Sequence, residues 1–301
     1  MPNGHRDPAR RHGTPAAESP RPPALVRRRV YAAVAITCAG ALAAAACGGL
    51  LGVAQSVRRW GWYPDRAVVH EDTAYESGGV RIAVERFAPA RDRTARRHPA
   101  VLVLHPSSGV RGRAGAELRG WADALARAGY VAFVVHYFDR TGDTRTDDAR
   151  EDAAFPAWTA ALEDAVTFAR RDAAVAPARV SAFGLSLGGY MALALGAADP
   201  RVDRLVVLSG GFFDALAPAV RRLPPTLLLH GSDDDVVPLA EAWKVERALA
   251  RLHVPHALIV YPGQRHGLDA ATRPDGIARA VAFLRAPDDS AAVVAAKAAS
   301  P

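Results

Sequence analysis

The chain has 301 residues, 50% of them hydrophobic, and a formal net charge of +7. That length fits one α/β domain of roughly 220 residues behind an N-terminal appendage. Residues 1–29 carry seven arginines against Asp7 and Glu18, so most of the charge sits there. The balanced remainder excludes a basic nucleic-acid-binding face.

Taken in chain order, residues 1–29 are rich in Pro, Arg, His and Gly without apolar periodicity, and are expected to be disordered. The segment 30–57 contains no charged residue and exceeds the ~20 residues that span a bilayer. Arg27, Arg28 and Arg29 immediately precede it, a pattern that keeps the N-terminus in the cytoplasm and exports the rest of the chain. The expectation is an N-terminal apolar helix acting as a signal anchor, with the catalytic domain outside the cytoplasm in a bacterial-type cell envelope. A cleaved secretory signal, a lipoprotein modified at Cys47 in Ala44-Ala45-Ala46-Cys47-Gly48, and a buried Ala-rich helix are the alternatives. Cys38 and Cys47 are the only cysteines. The remainder therefore has no disulfide, thiolate nucleophile or Cys-ligated metal.

Residues 80–87 alternate apolar and polar, which predicts a half-buried strand, in a hairpin with 73–76 through Ser77-Gly78-Gly79. Strand-like apolar runs come next at 101–105, 131–136, 180–183, 205–208, 226–230 and 257–261. Helical patterns intervene at 116–128, 157–171, 187–195, 239–252 and 277–284. This alternation predicts an α/β fold with a mostly parallel, doubly wound sheet covered by helices on both faces. The catalytic domain is placed at 62–286 and a flexible tail at 287–301.

The chemistry-bearing pattern is Gly184-Leu185-Ser186-Leu187-Gly188-Gly189, between the apolar run ending at Phe183 and the helical run from Tyr190. Strand, G-x-S-x-G and helix form a nucleophile elbow, a turn so tight that its flanking residues must lack bulk. Asp233, Asp234 and Asp235 come after the run 226–230, and His266 after the run 257–261. The order Ser, Asp, His, each just past a strand's C-terminal end, is that of α/β-hydrolases. Ser186 is then the nucleophile, His266 the general base and acid, and an aspartate the group that orients the imidazole. The oxyanion hole needs two backbone N–H groups, assigned to Leu187 and to Ser107 in the loop after 101–105. His136 and Tyr137 end a strand at the rim and are candidate substrate-pocket residues, whereas His105 and His230, which end apolar runs, are read as packing residues or as supports behind the catalytic groups, not as catalysts. No H-x-x-E-H, H-E-x-x-H or G-x-G-x-x-G pattern is present, so neither a metal nor a cofactor is expected.

From about 80 to 285 the chain resembles the dienelactone hydrolase branch of the α/β-hydrolase superfamily. The matching pieces are residues 99–109, 124–132 and 184–189, then His230-Gly231 with Asp234 and Val237-Pro238, and Tyr261 with His266-Gly267. The family pattern HG-x-x-D-x-x-VP lands on Asp234, with Asp233 and Asp235 as the other candidates. The founding members use a cysteine nucleophile and carry a glutamate after the first core strand, where this chain has Ser186 and Pro106. The resemblance therefore implies a serine carboxylesterase acting on small-molecule esters or lactones through an acyl-enzyme. A serine peptidase of the prolyl-oligopeptidase type and a non-catalytic envelope binding protein are the alternatives.

Overall fold

The computed structural model describes residues 67–90, 97–213 and 219–287, with positions 289, 292, 293 and 297 of the tail. The stretch expected to be disordered (1–29), the apolar segment 30–57 with Cys38 and Cys47, and most of 287–301 lie outside the described residues. Among the described residues no helix is long and apolar enough to cross a membrane.

Eight strands form one sheet among the described residues: β1 (Val68–Ser77), β2 (Val80–Pro89), β3 (His98–Leu104), β4 (Val131–Val135), β5 (Val175–Leu185), β6 (Val202–Leu208), β7 (Thr226–Gly231) and β8 (His256–Tyr261). Their spatial order is β1-β2-β4-β3-β5-β6-β7-β8. The first two pairings, β1 with β2 and β2 with β4, are antiparallel, and every later pairing is parallel. Five α-helices flank the sheet among the described residues: α1 (Gly112–Arg127), α2 (Asp148–Arg171), α3 (Leu187–Ala198), α4 (Leu239–Arg251) and, after β8, α5 (Arg273–Arg285).

Period-two alternation along the central strands sorts the core into two layers. Ala100, Leu102 and Leu104 of β3 face one layer with Trp158, Leu162, Met191, Leu195, Val245 and Leu249, contributed by α2, α3 and α4. Val101 and Val103 face the other, with Leu118, Trp121 and Leu125 of α1 and Val281 and Phe283 of α5. Both faces of β3 are thus covered, and its last five residues are completely buried. That is why they read as an unbroken apolar run in the sequence. Each such Leu or Phe contributes about 1.5–3 kcal/mol by leaving water.

Several elements depart from the sequence expectation, β5 among them, which begins at Val175 and not at 180. Strand β1 begins at Val68; its exposed first half, rich in His and acids, carries no alternation, as suits an edge strand. Helix α2 starts nine residues before the predicted 157, with Asp147 as its cap accepting from the Arg150 N–H at 3.1 Å. Its polar opening turns lack an apolar stripe, and Pro156 inside the helix reads as a start signal. A 3₁₀ turn, Tyr137–Thr141, comes after β4 where no element was predicted.

Candidate active site

Ser186 sits between the end of β5 and the first residue of α3, with φ 56° and ψ −124°. A non-glycine residue at positive φ is strained by about 1–3 kcal/mol and persists only where its surroundings enforce it. Here the enforcement is visible. The Ser186 N–H donates to Leu208 O at 2.9 Å, and the Gly189 N–H donates to Ser186 O at 2.7 Å. A Cβ at Gly184 would run into the Gly188 carbonyl, and one at Gly188 into the carbonyl oxygens of Leu104 and His105. The two glycines of the pentad are therefore required by contact with backbone, not merely by the turn. Leu187, as the first residue of α3, has an N–H with no intrahelical acceptor.

The three consecutive aspartates have different surroundings. Asp234 is buried and accepts from the N–H groups of Val236 at 3.0 Å and Val237 at 2.9 Å. His266 Nδ1 lies 3.0 Å from both of its carboxylate oxygens. Burial alone would raise the Asp234 carboxyl; the Val237 N–H and the His266 imidazole outweigh it and hold the group below the usual carboxylate range. Asp233 accepts from the Ser232 hydroxyl at 2.6 Å. Asp235 is exposed and pairs with Arg265. The structure thus joins Asp234, and neither neighbour, to His266.

Two buried residues support that pair. His230, at the end of β7, donates from Nε2 to Val237 O at 2.8 Å and lies 3.4 Å from Asp234 Oδ2. Burial pushes its imidazole down, partly opposed by the Val237 carbonyl and Asp234. Ser209, fully buried at the end of β6 with φ 50°, accepts from the Gly267 N–H at 3.0 Å. Since Ser186 N is bonded to Leu208 O, the elbow and the histidine loop are both anchored on the same strand end. Sequence reasoning did not single out Ser209; its only signal is a serine closing an apolar strand run. Ser186 and His266 are not hydrogen-bonded to each other in this structure. Bonds of that kind often tighten only with substrate in place.

The loop after β3, residues 105–111, lies beside the elbow. The Ser107 carbonyl accepts from the Thr146 N–H at 2.9 Å, and no acceptor engages its own N–H among the described residues. His105 is buried, and burial pushes its imidazole down to about 3. Tyr137 stacks on it with ring centroids 3.9 Å apart and donates its hydroxyl to His105 O at 2.7 Å. Tyr137 is fully buried, so the structure sets it inside the wall of this loop and not on an open pocket face. His136 likewise turns towards Glu85, with Nε2 2.9 Å from Oε1. Tyr137 is thus part of the scaffold, whereas His136, although bonded to Glu85, lines a cavity of about 580 Å³ together with His70, Arg81 and Arg119; the unforeseen 3₁₀ turn folds the chain back after β4.

A cavity of about 550 Å³ opens beside His266, lined by Arg113, Glu117, Gln264, Arg265, Gly267 and Leu268 among others. That volume suits a small molecule. Among the described residues no group of three or more His, Cys, Asp or Glu side chains is placed to hold a metal ion.

The sequence model of the dienelactone hydrolase family matches residues 87–298. This chain belongs to the dienelactone hydrolase family. A protein of Synechocystis sp. (strain ATCC 27184 / PCC 6803 / Kazusa), provisionally named carboxymethylenebutenolidase, is 24% identical over 205 residues, 62% of this chain and 81% of its own. The crystal structure of a provisionally described dienelactone hydrolase from Klebsiella pneumoniae subsp. pneumoniae MGH 78578 matches with a TM-score of 0.62 at 20% identity. It covers 72% of this chain and 98% of that one. A dienelactone hydrolase-like promiscuous phosphotriesterase, P91, from metagenomic libraries matches with a TM-score of 0.60 at 19% identity, covering 72% and 98%. These structures share the dienelactone hydrolase fold with this chain: a mostly parallel eight-stranded sheet flanked by helices.

Proposed function

We propose that this member of the family is a serine hydrolase that cleaves carboxylic esters or lactones through an acyl-enzyme on Ser186. The observation that carries the reading is the Asp234–His266 pair together with a serine held at positive φ at a strand-to-helix turn, the elbow and the histidine loop both anchored on the end of β6. In the proposed reaction Ser186 Oγ attacks the substrate carbonyl carbon while His266 Nε2 takes its proton. Asp234 fixes the tautomer that keeps Nε2 free and stabilises the imidazolium that forms. The tetrahedral oxyanion is received by the N–H groups of Leu187 and Ser107. Collapse expels the alcohol, which receives the proton from His266, and leaves the acyl group on Ser186. Water, activated by the same histidine, then releases the acid.

The polar lining of the cavity beside His266 favours a small, hydrated ester or lactone over a long-chain lipid. With the full-length protein and p-nitrophenyl esters of graded acyl length, the reading predicts a burst of about one equivalent of nitrophenol before steady turnover. Ser186→Ala lowers kcat at least about 10⁴-fold. Wild-type turnover by Ser186→Ala overturns the mechanism. Peptide amides and a phosphotriester belong in the same panel, the latter because a structural relative is named for that activity.

For location, the uncharged run 30–57 behind Arg27-Arg28-Arg29 supports attachment to a membrane with the hydrolase outside the cytoplasm. Protease added to spheroplasts, whose cytoplasmic membrane alone is intact, then degrades the hydrolase. Its protection, with cytoplasmic markers, contradicts that placement.

A further inference from the structure

Glu85 is a charged group buried in the sheet that the proposed chemistry does not use. Its side chain, only 8% exposed, stands on β2. Its carboxylate accepts from Arg119 Nε at 2.6 Å, from Arg119 Nη2 at 2.7 Å and from His136 Nε2 at 2.9 Å. Burial alone would raise its pKa; the His136 and Arg119 hydrogen bonds outweigh that and hold it at about 2.

Both partners lead on to the same loop. Arg119 sends its remaining nitrogen, Nη1, to Val110 O at 3.2 Å. His136 opens the 3₁₀ turn whose Tyr137 hydroxyl holds His105 O at 2.7 Å. That turn is itself tied back to β2, with His136 N–H donating to Ala83 O at 3.0 Å and Ala83 N–H to Asp139 Oδ2 at 2.9 Å. His105 opens the loop that carries Ser107, and Val110 lies one residue from its other end. A single buried carboxylate therefore reaches that loop at or near both ends, one through a guanidinium and the other through a histidine and an aromatic stack. The loop also abuts the elbow, because His105 O is one of the oxygens that a Cβ at Gly188 would strike. A displaced loop changes the distance between the Ser107 N–H and the oxyanion formed on Ser186.

We propose that Glu85, Arg119 and His136 are positioning residues for the oxyanion loop, setting where the Ser107 N–H stands relative to Ser186 Oγ. The proposal rests on the acyl-enzyme reading above. A plain structural staple for the β1–β2 hairpin changes stability without touching the rate of the folded enzyme; a positioning network changes kcat.

The test uses the full-length protein carrying Glu85→Gln, His136→Ala or His136→Gln, with Ser186→Ala as the blank. Hydrolysis of p-nitrophenyl acetate and the rate of fluorophosphonate labelling are measured on folded protein. Misplacing one oxyanion donor lowers kcat by about 10- to 100-fold. The expected result is that loss for Glu85→Gln and His136→Ala, with KM within about threefold of wild type and labelling slowed in proportion. His136→Gln, whose amide nitrogen donates where Nε2 does, recovers most of the activity. Folded variants whose kcat and labelling rate stay within about twofold of wild type overturn the proposal. If Glu85→Gln does not fold, the two His136 variants decide the matter. A wild-type protein that takes no label overturns the acyl-enzyme reading and this proposal with it. A labelled wild type with unaffected variants overturns this proposal alone.

Discussion

Asp233, Asp234 and Asp235 differ by one position each, yet their carboxylates end in different environments. Asp234 is buried against two backbone N–H groups and the His266 ring, whereas Asp233 takes a hydrogen bond from Ser232 and Asp235 faces Arg265 at the surface. Asp234→Asn keeps the shape but offers an amide where the imidazole needs an acceptor. It should lower kcat by about 10³- to 10⁴-fold in ester hydrolysis. Asp233→Asn and Asp235→Asn should stay within about threefold of wild type, as surface changes away from reacting atoms do. Equal losses at all three positions would mean that the run acts through its charge and not through one oriented carboxylate. The residues around this pair were less legible than the pair itself. Asp234 and His266 stand just past apolar runs, where the order of elements marks them. Ser209 acts on a group that only the fold brings near, since the Gly267–Ser209 bond spans 58 positions.

At the scale of elements, the G-x-S-x-G turn shows how a local motif depends on distant backbone. Gly188 lies in α3, where replacing glycine by alanine ordinarily stabilises a helix by about 1 kcal/mol. Here the sign reverses, because the added methyl meets the carbonyl oxygens of Leu104 and His105. Gly188→Ala should lower stability by about 1–3 kcal/mol in urea denaturation, and reduce turnover by pushing the loop after β3 away. Unchanged stability would show that β3 and α3 have more room than this packing implies. The parallel strands were readable because both of their faces are buried and their sequences are continuously apolar. The opening of α2, the 3₁₀ turn and the first half of β1 were not. Their hydrophobic pattern is weak, and they are held by side chains such as Asp147, Asp139 and Tyr137. The burial of Tyr137 in the wall of the loop after β3 was hidden for that same reason: nothing local in the sequence announces the turn that carries it there.

At the scale of the whole molecule, buried titratable groups tie stability to pH. Burial pushes His105 down to about 3, so between that value and the ordinary histidine pKa of about 6.5 the unfolded chain binds the extra proton. Stability therefore falls as pH drops from about 6.5 towards 3. Glu85 and Asp234, held below the usual carboxylate range, contribute stability that is present above about pH 4 and lost as pH falls further. The urea midpoint should accordingly decline below about pH 6.5, and His105→Phe, which retains a ring against Tyr137, should flatten the upper part of that decline. A variant whose profile parallels the wild type would show that His105 is not the group responsible. The central claim about the molecule is an activated nucleophile at Ser186, and fluorophosphonate labelling of the full-length protein with the adduct located by mass spectrometry tests it most directly. The account predicts stoichiometric adduct on Ser186 that His266→Ala loses; a folded protein that takes no label, or takes it on another serine, would contradict it.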